Sequence, residues 1–125
     1  MIRNTFIWAI ATACIIWSGA THAADIAGVW LHEDGSSKVR FAPCGGEVCG
    51  TIVWLRDSGG PWKIGQRVFY DMKPDGVNSW QGKAFEATSG REYMGKMTLG
   101  GDNLTTAGCV LGGLICKSIV WSRTQ

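Results

Sequence analysis

The sequence predicts an all-β protein, a small antiparallel meander barrel of about seven to eight strands. Two observations carry that reading. Clusters of Gly, Asp, Asn and Ser recur at short intervals, "EDGSS" at 33–37, "CGGE" at 44–47, "KPDG" at 73–76, "TSGR" at 88–91, "GGDN" at 100–103 and "LGGL" at 111–114. Runs of about six to nine residues separate most of them, the length and spacing of strands joined by tight turns. Within the runs, apolar and polar residues alternate with a period of two, and no helical period is evident after the first 25 residues.

Taken in order, the runs predict strands over 27–33, 38–43, 48–56, 79–87, 91–99, 103–110 and 115–123. In "KVRFA" Val39 and Phe41 share one face while Lys38 and Arg40 share the other. In "EYMGKMTL" Tyr93, Gly95, Met97 and Leu99 lie opposite Glu92, Lys96 and Thr98. One dry face and one wet face is the pattern of an antiparallel sheet. The stretch Asp57 to Val77 is less regular: it fits a short strand, a helical turn, or a loop across one end of the barrel. Connections of that length tend to be functional, and its Trp62, Phe69, Tyr70 and Met72 suit a lid.

The N-terminus has the layout of a secretory signal peptide, with Arg3, an apolar run from Phe6 to Trp17, and small residues before Asp25. The run is shorter than the roughly 20 apolar residues of a bilayer-spanning helix. Thr21 and Ala23 place the cut after Ala23, so residues 1–23 read as leader and 24–125 as a single β-barrel domain. An uncleaved anchor, or lipidation at Cys14, fits these residues less well. The expected compartment is periplasmic or extracellular, with no transmembrane segment after cleavage. The remaining domain is nearly neutral with its signs interspersed, which argues against nucleic acid as a partner.

Four cysteines follow the leader, Cys44, Cys49, Cys109 and Cys116, and export favours their oxidation. A two-residue turn at Gly112-Gly113 sets Cys109 opposite Cys116, and a turn at Gly46-Glu47 sets Cys44 opposite Cys49. Directly opposed residues bring their Cβ atoms within about 4.5–5.5 Å, close to disulfide distance. Each bridge would then clip its own hairpin, although pairing between the two hairpins remains an alternative. The spacings match structural zinc motifs poorly, so no metal and no cofactor is expected.

One strand is written twice: "CGTIVWLR" from Cys49 to Arg56 and "CKSIVWSR" from Cys116 to Arg123. By strand parity Ile52, Trp54 and Arg56 share a face, as do Ile119, Trp121 and Arg123. Each copy is therefore expected to close an end of the interior with an Arg against a Trp. Most of Trp30, Trp54, Trp62, Trp80 and Trp121 should fill the core, since each ring buries on the order of 150–250 Å².

"GVW" at Gly28 to Trp30, with Arg123 on the last strand, resembles the signature of the calycins, in which an early tryptophan packs beneath a late arginine and shuts the barrel. The longer pattern "APCGGEVCGTIVWL", "MKPDG", "WQGKAFEATSGREYMGKMTL", "AGC" and "CKSIVWSR" resembles a family of small exported bacterial proteins, domain of unknown function 2147. That resemblance implies a calycin-like barrel and an envelope location, and it carries over no activity.

The function expected first is a binding module for a small hydrophobic or amphipathic ligand, with Trp62, Phe69, Tyr70, Trp80 and Tyr93 as candidate ligand-binding residues. A structural or interaction protein that contacts another envelope protein is the alternative. Catalysis is not expected, since no residue is marked as a nucleophile and His32, beside Glu33 and Asp34, reads as part of a solvated turn.

Overall fold

A computed structural model describes residues 26–124; the leader expected over 1–23 and its cut site lie outside the described residues. Eight strands follow one another as β1 (Gly28–His32), β2 (Ser37–Cys44), β3 (Glu47–Leu55), β4 (Arg67–Pro74), β5 (Ser79–Glu86), β6 (Arg91–Gly100), β7 (Asn103–Val110) and β8 (Ile115–Thr124). Each pairs antiparallel with the next and β8 returns to β1, closing the barrel. The meander is the topology that the calycin resemblance implies. Among the described residues no helix is long and apolar enough to cross a membrane.

Every strand expected from alternation is present, with ends shifted by one residue at most. The additional stave, β4, comes from the irregular stretch, so Phe69, Tyr70 and Met72 of the expected lid belong to the barrel wall. Its pattern was obscured by a bulge. Phe69 and Met72 are both buried although three residues apart, and the register with β5 jumps between Tyr70 and Lys73. Asp71 takes φ 54°, a left-handed conformation unusual for a side-chain-bearing residue. Gly82 faces the bulge across the ladder, where a Cβ would fall 2.8 Å from the Met72 Cα.

Bulky inward-facing residues occupy one half of the barrel. Ile26, Trp30, Phe41, Met72, Trp80 and Met97 are all buried there. The Phe41 ring lies on Gly50, leaving no room for a Cβ, which would meet it at 2.6 Å. Bulky rings in a narrow barrel leave little free volume at this end.

Both disulfides are local, Cys44–Cys49 and Cys109–Cys116. The second joins directly opposed residues. The first corrects the expected hairpin register. Cys44 faces Glu47 and Cys49 faces Ala42, so the turn is Gly45-Gly46 and the bridge runs diagonally across the ladder. Both turn glycines have positive φ, 61° and 86°, which suits the two-residue hairpin turns that match strand twist.

Candidate functional site

Parity on β1 sends Trp30 and His32 to the interior at different heights, and the two ends of the barrel differ accordingly. Trp30 shuts the base. Its indole Nε1 donates to the Ile26 carbonyl at 2.9 Å, and the guanidinium of Arg123, its direct cross-strand partner, lies 4.3 Å from the ring centroid. Arg123 Nη1 also donates to the Ala27 carbonyl at 3.2 Å.

The opposite end opens into a cavity of about 570 Å³. Its walls include Val39, Ile52, Phe69, Ala84, Thr106 and Trp121. Two polar groups in the cavity wall satisfy each other: Trp121 Nε1 donates to Thr106 Oγ1 at 2.8 Å. A buried, paired N–H leaves an apolar lining with no open hydrogen-bonding demand at that point. Phe69 meets Trp121 edge to face, with centroids 6.4 Å apart, and His32 does so at 4.9 Å.

Charged side chains occupy the rim. His32 Nδ1 lies 2.8 Å from Asp34 Oδ1 and 3.2 Å from the Asp34 backbone nitrogen. Hydrogen bonding from Ser36 is the largest influence on the Asp34 carboxyl and holds it below its ordinary value, aided by the charges of His32 and Arg56 against the opposing effect of desolvation. Arg56 Nη1 donates to the Asp34 carbonyl at 3.1 Å and so ties the end of β3 to the β1–β2 turn. Lys117 and Glu86 also line the opening. Apolar walls under a polar rim can take a molecule with a greasy body and a hydrated end.

The cavity brings together three of the sequence-derived candidates, Trp62, Phe69 and Tyr93. Two others lie elsewhere. Tyr70 faces outward and donates its hydroxyl to Glu92; burial first, and this contact with Glu92 second, push its pKa up to about 12. Trp80 sits in the filled half, 1% exposed and opposite Met97, and does not line the cavity. Aromatic character marked both residues, but it does not report height along the barrel axis.

The closing set also needs correction. Trp54 is 39% exposed with Lys38 over its ring at 5.2 Å, and Arg56 is engaged with the turn rather than with an indole. Arg123 stacks on Trp30 instead of Trp121. His32 is the site residue that the sequence reading assigned to solvent. Its signal was present: it lies two residues from Trp30, on the inward face of the same strand. Among the described residues no group of three or more His, Cys, Asp and Glu is placed to hold a metal ion.

Fold and site together define a small closed barrel with one sealed end and one apolar cavity. The sequence model of a family described as "uncharacterized protein conserved in bacteria (DUF2147)" matches residues 28–123, all but the outermost described residues, and the chain belongs to that family. No curated protein matches the chain significantly, and neither does any solved structure.

Proposed function

We propose that the protein binds a small hydrophobic or amphipathic molecule in the cavity at the open end. The observation that carries this reading is the asymmetry of the interior. One half is occupied by bulky side chains behind the Trp30–Arg123 plug, whereas the other keeps about 570 Å³ between apolar walls. Ligand pockets commonly fall between about 300 and 1,000 Å³. The apolar body of the ligand rests against Phe69, Ile52 and Trp121, and its polar end meets the rim of His32, Arg56 and Lys117. The leader-like N-terminus and the two disulfides favour a place outside the cytoplasm for this binding.

Tryptophan fluorescence titration with fatty acids, lysophospholipids and aromatic metabolites tests the proposal. Trp121 and Trp62 line the cavity, so a binder shifts their emission saturably. Ala84→Phe places a ring in the cavity and should weaken binding at least tenfold while the protein still folds. Absence of any saturable ligand across these classes overturns the reading. A non-catalytic structural protein at the envelope surface is the second reading, and the exposed apolar end of one hairpin favours it.

A further inference from the structure

The β7–β8 hairpin ends in a feature that the cavity does not explain. Leu111 is 68% exposed, Leu114 85% and Ile115 58%, with Val110 beside them at 40%. These four residues form one continuous apolar tip. The first four residues of β8 are exposed on both faces, so the hairpin projects past the rim of the barrel. Apolar side chains displayed together in this way mark an interaction surface, whereas scattered ones do not.

The tip is also held in shape. Cys109–Cys116 crosses its neck, and the Leu114 N–H donates to the Leu111 carbonyl at 3.3 Å. Leu111 takes φ 54°, followed by Gly112 at 68° and Gly113 at 93°. A leucine retained in the left-handed region, where glycine would be unstrained, keeps a large apolar side chain at the apex.

The hairpin's own charges are all basic, and the acids beside it come from other elements, with Glu33 accepting the Val120 N–H and Asp34 and Glu86 at the cavity mouth. All ten carboxylates of the chain precede Asn103, so the stretch from Asn103 to Gln125 holds Lys117 and Arg123 and no acid. Lys117 lies at the cavity mouth. Lys96 reaches the tip from β6: a Cβ on Gly113 would sit 3.1 Å from its Nζ. The base of the tip is thus cationic on two sides.

We infer that this tip docks on an anionic lipid surface, with Val110, Leu111, Leu114 and Ile115 entering the boundary between headgroups and acyl chains while Lys96 and Lys117 meet the headgroups. An apolar element with basic residues at its margin is the composition that binds such a boundary. A protein partner fits less well. A stable protein interface takes about 800 Å² from each side, and four side chains at the end of a hairpin present far less. Docked in this way, the cavity mouth faces the lipid, because Val110, Ile115 and Lys117 belong to both features. The inference stands independently of the ligand reading, since vesicle binding is measured without a cavity ligand.

Co-sedimentation of the expected mature protein, residues 24–125, with vesicles tests it, comparing phosphatidylcholine alone with an equimolar mixture of phosphatidylcholine and phosphatidylglycerol. The mixed vesicles should retain the protein at low salt, with less retention on neutral vesicles. Leu111→Asp combined with Leu114→Asp should reduce binding at least tenfold, and Lys117→Gln about fivefold. Val77→Asp, which alters an equally exposed apolar residue in the β4–β5 turn, should bind as the parent does. Circular dichroism checks that each variant remains folded. Failure of the parent chain to bind either vesicle overturns the inference, as does unchanged binding by the double variant. A double variant that converts a dimer to a monomer, with vesicle binding unaltered, assigns the tip to a second copy of the chain and also overturns it.

Discussion

The two copies of the repeated strand, Cys49–Arg56 on β3 and Cys116–Arg123 on β8, share five residues at matched offsets and place them differently. Trp121 is 4% exposed and faces the cavity, whereas Trp54 is 39% exposed and lies on the outer surface. One extra residue accounts for the reversal. Val39 pairs with Ile52 and Lys38 with Trp54, which leaves Val53 as a bulge. β8 runs against β1 and β7 with no such shift. Because side-chain direction has a period of two, a single bulged residue turns everything after it to the opposite face. Leu55 thereby packs against the core in the place parity assigned to Trp54. Sequence similarity between strands therefore guarantees similar strands and does not guarantee similar faces.

The largest test of this contrast is the same substitution made in both copies. Trp121→Ala removes a buried ring and its bond to Thr106, and should destabilise the fold by about 3–5 kcal/mol. Trp54→Ala removes a half-exposed ring held mainly by Lys38 and should cost less than about 1 kcal/mol. Urea unfolding measures both. Equal losses would mean that the bulge does not separate the two rings.

That bulge also marks how far sequence reading reaches. Alternation locates a strand because it reports which residues are wet, and it placed seven of the eight strands closely. It cannot register an inserted residue when that residue is itself a good strand former, as Val53 is. The same limit hid β4, where the bulge at Asp71 puts Phe69 and Met72 on one side. Parity assigns a face but not a height, so Trp80 and Phe69 looked alike in sequence although one plugs the filled half and the other lines the cavity. Height enters through pairing register, which long-range contacts set. His32 needed no such contact, only the observation that Trp30 precedes it by two.

The two arginines sharpen the comparison at intermediate size. Arg123→Met loses the stack on Trp30 and the bond to the Ala27 carbonyl, and should lower stability by about 1–2 kcal/mol. Arg56→Met gives up one exposed hydrogen bond to the Asp34 carbonyl and should lower it by less than about 0.5 kcal/mol. Thermal unfolding followed by circular dichroism separates the two. A reversed order would transfer the closing role to β3.

The smallest effect distinguishes the copies by acid. Arg56 ends against the β1–β2 turn, where Asp34 accepts the Ser36 N–H at 2.8 Å and carries a carboxyl held below its ordinary value of 3.8. A depressed folded value means that this group favours the folded state above the ordinary value, and that its contribution is lost as pH falls through the lower, folded one. Asp34 is 58% exposed, so the change in overall stability is slight and the useful signal is local. In an NMR titration the Ser36 amide should move with a midpoint below 3.8, and Asp34→Asn should abolish that step. The Arg123 amide, which donates to the Asp102 carbonyl at 3.0 Å, should not follow the same transition. A Ser36 midpoint at or above 3.8 would show that the turn does not favour the ionised carboxyl. The rim at the end of β3 would then be no more sensitive to acid than the sealed end of β8.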